Sequence, residues 1–284
     1  MQQSISVAEK ERVENELLQD AKELSLSQPI YTFEMRLDER SRGILNGILY
    51  SYNMGNMRIY AKDVHGDGSD GKLLRLSIYN ESNEDGGAST KDFLVEMTVK
   101  GVDNENFERL VDRKLVSYII NHDNDTLYFH IFLRKEDIRL KLNNNSIMSL
   151  ERTERSEERE LKEYIKKLLS ELPFGYFEIK ERNREKLERL KKAHEEARTY
   201  AALEKLDEIT LLIKFFEKRE RGRRKEIERS EIDIDERIAL ISELYNRKLI
   251  KFNMEFKNDT IMLYTYLDFS KIDIEFNRDT SYIM

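Results

Sequence analysis

Residues 110–142 read LVDRKLVSYIINHDNDTLYFHIFLRKEDIRLKL and residues 244–276 read LYNRKLIKFNMEFKNDTIMLYTYLDFSKIDIEF, and the two stretches align without a gap. Nine of the 33 positions are identical, among them Arg113/Arg247, Lys114/Lys248, Leu115/Leu249 and the run Asn124-Asp125-Thr126 against Asn258-Asp259-Thr260. The separation is too long for a solenoid, whose repeats run roughly 20 to 50 residues. It predicts a duplicated supersecondary unit whose copies an insertion has pushed apart. Leu127, Phe129, Ile131 and Leu133 form an apolar row in the first copy, and Ile250, Phe252, Met254 and Phe256 alternate with polar residues in the second. Asn and Asp tolerate the positive φ of a tight turn, so each copy predicts a β-hairpin. A helically spaced segment precedes each hairpin, at 104–113 and at 235–247, where Ile238, Ile241 and Leu244 recur.

Working outward, Leu74, Leu76 and Ile78, and then Phe93, Val95, Met97 and Val99, show the period of two that marks a half-buried strand. A third, weaker relative of the unit starts at Asp38 and runs through Ile44, Leu45 and Ile48 into a strand at 57–61. At the start of the chain, Ser6-Val7-Ala8-Glu9 is a capping box, and Val13, Leu17, Ala21 and Leu24 predict a helix over about 6–25 that ends before Pro29. Between the copies, Glu, Lys, Arg and Leu dominate residues 150–230. Leu161, Ile165, Leu168 and Leu172 mark one helix there, while Leu187, Leu190, His194, Ala197 and Ala201, then Leu206, Ile209, Ile213 and Phe216, follow three- and four-residue spacing. Unbroken, such a helix of about 50 residues would be a rod of roughly 75 Å. The expected fold is therefore α+β, an antiparallel sheet with duplicated helix–hairpin units at about 104–142 and 235–276 and an inserted long helical hairpin or coiled-coil-like arm. The expected domains are an N-terminal helix at 1–28, an α+β domain at 29–149, the arm at 150–230 and the second copy at 231–284.

Composition narrows the chemistry. Of the 284 residues 37% are charged, far above the globular average of about 25%, and the arm accounts for the excess. A net charge of −7 argues against a uniformly basic nucleic-acid binder but leaves a local basic patch open. With no cysteine, disulfides, thiolate nucleophiles and Cys-ligated metals are excluded. No apolar run approaches the roughly 20 residues of a bilayer span, and the N-terminus lacks a signal-peptide pattern; the expectation is a soluble, cytoplasmic protein with no membrane contact and no cofactor.

Two clusters are candidate sites. Asp63, His65 and Asp67 fall at alternate positions before Gly68, the spacing at which a calcium turn places its oxygen ligands. The twelfth position is Leu74 rather than a bidentate Glu, so the alternative is a Gly/Asp-rich hairpin loop. Lys218, Arg219, Arg221, Arg223, Arg224 and Lys225 put six cations into eight residues, a density that suits phosphate contact by counterion release; the alternative is the solvated end of a charged helix. His122 and His130 flank the first hairpin's turn, but the second copy has Phe256 and Tyr264 there, so the fold does not require ligands at those places. No nucleophile elbow, phosphate-binding loop or His-Glu-x-x-His helix occurs.

Leu172-Pro173-Phe174-Gly175-Tyr176-Phe177, followed by a charged helix and then by residues 209–227 ending in an Arg-rich stretch, resembles the helical domain of the archaeal GINS replication subunits. The resemblance covers about 153–230 and implies a non-catalytic replication scaffold; the chain departs from the family in lacking its small β-domain and in carrying a long N-terminal sheet region. The functional expectation is a non-enzymatic adaptor or architectural protein, nucleic-acid-associated through the basic cluster, with protein partners and self-assembly through the arm. The alternatives are a virus- or mobile-element-encoded inhibitor of a host protein, and an enzyme with an unrecognised site between the two β copies.

Overall fold

The computed structural model describes residues 7–37, 42–65, 72–82, 90–99, 102–124, 126–143, 156–181, 183–218 and 223–277. Among these, fourteen strands and six α-helices follow one another in an order that repeats. The first half runs α1 (Val7–Ser25), β1 (Tyr31–Arg36), α2 (Arg42–Asn53), β2 (Met57–His65), β3 (Lys72–Ser82), β4 (Thr90–Val99), α3 (Asn104–Asp112), β5 (Val116–Asp123), β6 (Thr126–Leu133) and β7 (Ile138–Leu142). The second half has the same order: α4 (Ser156–Glu171), β8 (Gly175–Lys180), α5 (Arg184–Glu195), β9 (Thr199–Lys205), β10 (Thr210–Lys218), β11 (Arg224–Asp233), α6 (Glu236–Asn246), β12 (Ile250–Lys257), β13 (Thr260–Leu267) and β14 (Ile272–Phe276).

This order corrects the expected fold class. Residues 150–230 are not an insertion and not a long helical arm, and neither a coiled coil nor a helical hairpin is present among the described residues. They hold two helices of 16 and 12 residues and four strands. The helical spacing of Ile209, Ile213 and Phe216 is incidental. On β10, Leu211, Ile213 and Phe215 are each fully buried, which is the period of a strand. Nor does the helical domain that the GINS resemblance implied form here, because residues 199–205, 210–218 and 224–233 are the antiparallel strands β9, β10 and β11. In place of a single sheet there are five small ones, ordered β1-β6-β5, β2-β3-β4, β8-β13-β12, β9-β10-β11 and β7-β14.

Four helix–strand junctions share one device. Gly55 after α2, Lys114 after α3, Ala197 after α5 and Lys248 after α6 all have positive φ, between 51° and 72°. In each the next residue's amide reaches five residues back: Asn56 to Ser51, Leu115 to Leu110, Arg198 to Ala193 and Leu249 to Leu244. This is a Schellman closure, which satisfies the helix's last carbonyls and turns the chain sharply. At the two hairpin entries it drops Leu115 and Leu249 into the core at 1% and 3% exposure, worth about 1.5–3 kcal/mol each. At the other ends, Asp103, Asn183 and Asp235 cap α3, α5 and α6 by accepting the amide protons of Asn106, Lys186 and Ile238. Asn124 and Asn258, both at positive φ, close the hairpins β5–β6 and β12–β13.

The chain divides into two compact units. One, here the C-unit, comprises 1–28, 139–150 and 166–275; the other, the N-unit, comprises 29–138, 151–165 and 276–284. Each unit thus incorporates helical residues from the other half of the sequence, all of α1 in the C-unit and the first ten residues of α4 (156–165) in the N-unit. In the N-unit, Arg109 donates to Glu105 on its own helix and to Glu160 on α4 at 2.8 Å, Arg113 pairs with Glu157 at 3.7 Å, and the Tyr31 and Tyr164 hydroxyls are 2.8 Å apart. In the C-unit, Arg247 donates to Glu243 on α6 and to Glu14 on α1 at 3.1 Å. Arg113 and Arg247 are equivalent positions of the repeat, and both hold the borrowed helix.

Gly175 has a packing role. A Cβ there would sit 2.8 Å from Thr265 Oγ1 and 3.0 Å from Ile241 Cδ1, so only glycine lets α6 approach the β8–β13 pair this closely. Among the described residues no helix is long and apolar enough to cross a membrane.

The exchange of helices predicts that cleaving the backbone at a protease site placed between Asn145 and Arg155 leaves the two fragments associated, co-eluting on size exclusion in native buffer and separating in denaturant. Ala197→Gly, which removes the Cβ from a left-handed position, should raise stability by about 0.5–1 kcal/mol in urea unfolding, whereas Ala197→Val should lower it.

Candidate polyanion-binding face

The basic cluster read from the sequence falls on the β10–β11 strand pair rather than on a helix end. Lys218 closes β10, Arg224 and Lys225 open β11, and Arg223 precedes them; all four are exposed. Arg219 and Arg221 lie outside the described residues. The strands are antiparallel with a shift of register between Phe215 and Phe216: Phe215 pairs with Glu228 and Phe216 with Glu226, leaving Ile227 as the extra residue of a bulge. Phe216 lies across from Tyr200 of β9, and their rings stack at 5.2 Å with planes 12° apart. Above Tyr200 sit the Arg224 guanidinium at 5.3 Å and the Lys218 ammonium at 5.9 Å from the ring centroid. These are cation–π distances.

Neighbouring cations are differently employed. Glu217, 8% exposed, accepts hydrogen bonds from Arg189 at 2.5 Å and Arg198 at 2.9 Å, and Arg198 also donates to Glu196. This network ties α5 to the strand ends and neutralises its own charge. Lys218, Arg223, Arg224 and Lys225 have no carboxylate partner within 4.0 Å among the described residues. By register Lys218 and Arg224 share the face of the stacked rings, together with Glu226 across from Phe216, whereas Lys225 is across from Glu217 on the other face; the ring-bearing face thus presents two uncompensated cations in a chain whose net charge is −7. The aromatic half of this arrangement has no signal in the linear sequence, because Phe216 and Tyr200 meet only through the β9–β10 register.

The other sequence candidates are dispersed. Asp63 and His65 lie on β2, paired in register with Leu74 and Lys72, and Asp67 lies outside the described residues. Among the described residues no three His, Asp or Glu side chains cluster as metal ligands. His130 Nδ1 is 3.0 Å from Thr32 Oγ1 and its ring stacks on Tyr128; His122, one strand away, is exposed. His194, on α5, contacts Thr199 Oγ1 at 3.2 Å and the Phe256 ring.

One carboxyl pair is chemically distinctive. Glu181, following β8, is held above its ordinary pKa, first by burial and then by its hydrogen bond with Glu228 of β11. Glu228 is held below the ordinary range: burial opposes its charge, but hydrogen bonds from Glu181 and from Lys186, the latter at 2.6 Å, prevail. A proton shared by the pair therefore resides on Glu181.

Comparison with known proteins adds little to this geometry. No family model matches the sequence, and no curated protein matches it. Among solved structures, the di-domain ARO/CYC BexL from the BE-7585A biosynthetic pathway shows 9% identity over 84% of this chain and 85% of its own, with a TM-score of 0.13. At that score the likeness carries no argument about fold or function.

The Glu181–Glu228 pair gives a pH prediction. A folded pKa above the unfolded value adds stability at low pH that is lost as pH rises through the folded pKa. Glu181→Gln, permanently neutral, should therefore melt about 2 °C above the parent at about pH 8, and the difference should close near pH 4. Calorimetric scans across that range check it.

Proposed function

We propose that this chain is a non-enzymatic binding protein of the adaptor or architectural kind, and that it contacts single-stranded nucleic acid through the Tyr200–Phe216 face of the C-unit. The observation that carries the reading is the juxtaposition on one sheet face of stacked rings and cations without carboxylate partners. Single-strand binders combine these two elements: cations that track the phosphates, and aromatic rings on which bases stack in a sequence-tolerant way. A duplex would need its base edges read from a groove, for which an exposed helix or ribbon is the usual element. A three-stranded sheet face suits splayed bases instead. The bulge at Ile227 sets the register of this face, where Arg224 stands two residues from Glu226, the residue across from Phe216, and Glu226 is itself ion-paired with Arg229 at 2.6 Å.

The two contributions separate experimentally. In anisotropy titrations of a labelled oligothymidine, Arg223→Glu/Arg224→Glu/Lys225→Glu should abolish binding at low salt. Lys218→Ala should flatten the dependence of log K on log salt by about 0.7. Tyr200→Ala should weaken binding by about 1–3 kcal/mol, the value of one stacked base, with the salt slope unchanged. Absence of oligonucleotide binding by the parent at low salt, or binding indifferent to the triple charge reversal, refutes the reading.

A further inference from the structure

The β2-β3-β4 sheet of the N-unit shares the bulged antiparallel framework but not its side chains: Arg58 is across from Tyr79 where Tyr200 is across from Phe216, and Phe93 stands where the C-unit has Glu226. The bulge recurs: Ile78 pairs with Val95 and Tyr79 with Phe93, leaving Leu94 as the extra residue. By register Tyr79 takes the place of Phe216. Lys91, paired with Glu81, takes the place of Arg224, paired with Lys218. Where the C-unit face has the cation Lys218, the N-unit face therefore has the carboxylate Glu81.

That reversal changes what the face can hold. The Tyr60 and Tyr79 rings meet edge to face at 5.5 Å and 87°, and Phe93 continues the row 5.5 Å from Tyr79. Into the angle between the two tyrosines projects the Lys91 ammonium, 3.5 Å from the Tyr60 centroid, 4.4 Å from the Tyr79 centroid and 3.3 Å from Glu81 Oε1. The Tyr60 hydroxyl donates to Glu81, and Arg58 approaches the same carboxylate at 4.0 Å. Two electron-rich ring faces and an anion converge on one point, and a cation occupies it. Such a box repels phosphate and attracts ammonium. Tyr60 is 39% and Phe93 56% exposed, so the box opens to solvent.

We propose that Tyr60, Tyr79 and Glu81 form a recognition site for an alkylammonium group, occupied in the unliganded chain by its own Lys91. A primary ammonium is compact and strongly hydrated, and Lys91, its side chain 42% exposed, keeps part of its water there. A methylated ammonium keeps the charge, sheds less water and fills the angle between the rings better, which is the basis of aromatic-cage recognition. It therefore displaces Lys91, whose side chain swings to solvent. The site is independent of the nucleic-acid reading, because it lies in the other unit and has the opposite charge preference.

The test uses the full chain with ring-labelled tyrosine, titrated with tetramethylammonium chloride and, separately, with a trimethyl-lysine peptide, and followed by NMR. Lys91→Ser empties the box and should saturate at a concentration at least tenfold lower than the parent, with the Tyr60 and Tyr79 resonances moving. Adding Glu81→Gln to Lys91→Ser should lose at least tenfold, while oligonucleotide binding stays at the parent level in both variants. Lys91→Thr, with its higher strand propensity, answers the same question should the serine variant unfold, and Tyr60→Leu with Lys91→Thr does so for the carboxylate variant. Tighter binding of the peptide than of the salt supports a modified side chain on a partner protein; equal binding supports a free alkylammonium compound. A Lys91 variant that binds neither probe better than the parent, or binding unchanged by loss of Glu81, overturns the proposal.

Discussion

The left-handed residue at the end of α2, α3, α5 and α6 is the constraint on which the architecture rests. A helix that simply frayed would leave its last carbonyls unpaired and let the following segment leave in any direction. A residue at positive φ instead closes the helix with two backbone hydrogen bonds and fixes the angle at which the next strand departs. Of the four, only Gly55 holds this conformation without a Cβ penalty. Lys114, Ala197 and Lys248 hold it against an intrinsic cost of about 1–2 kcal/mol, offset by the burial of Leu115 and Leu249 at two junctions and by the Arg198–Glu217 network at the third. The same local rule, applied four times, generates the helix–strand succession in both halves of the chain.

Arg113 and Arg247 each tie a segment from the opposite half of the sequence into their own compact unit. Each follows its helix by one residue, and each holds a helix supplied by the opposite half: Glu157 of α4 in one case, Glu14 of α1 in the other. The Arg247–Glu14 contact joins residues 233 positions apart. Contacts of that sequence separation are costly to close and slow to form, so α1 gains its packing surface only after nearly the whole chain is available.

Residue patterns exposed some of this and concealed the rest for identifiable reasons. The alternation of Leu74, Leu76 and Ile78 was visible because β3 has one face in the core, and the Asn-Asp turn because its geometry demands particular residue types. Residues 199–233 misled because abundant Glu, Lys and Arg interrupt the strands, and because the bulge at Ile227 breaks the period of two just where it would be read. Glu217 also looks like a solvent residue, and it is buried between two arginines. Of the candidate face, the cations were legible as a local cluster. The rings were not: Tyr200 and Phe216, like Tyr60, Tyr79 and Phe93, meet only through strand register, which no linear pattern records.

The pairing of β7 with β14 has a consequence for solubility. Each is the last strand of its half, and among the described residues neither belongs to a larger sheet; each finds its partner in the other, with Lys141 reaching Glu275 across the pair. An unpaired strand of this kind exposes a row of amides and carbonyls that recruits any similar edge, including one on another molecule. Carrying both strands on one polypeptide raises their effective concentration for each other to roughly the millimolar range. The tandem arrangement thus protects against intermolecular strand exchange, and a chain holding only one of the two strands would have to find that protection in a second molecule.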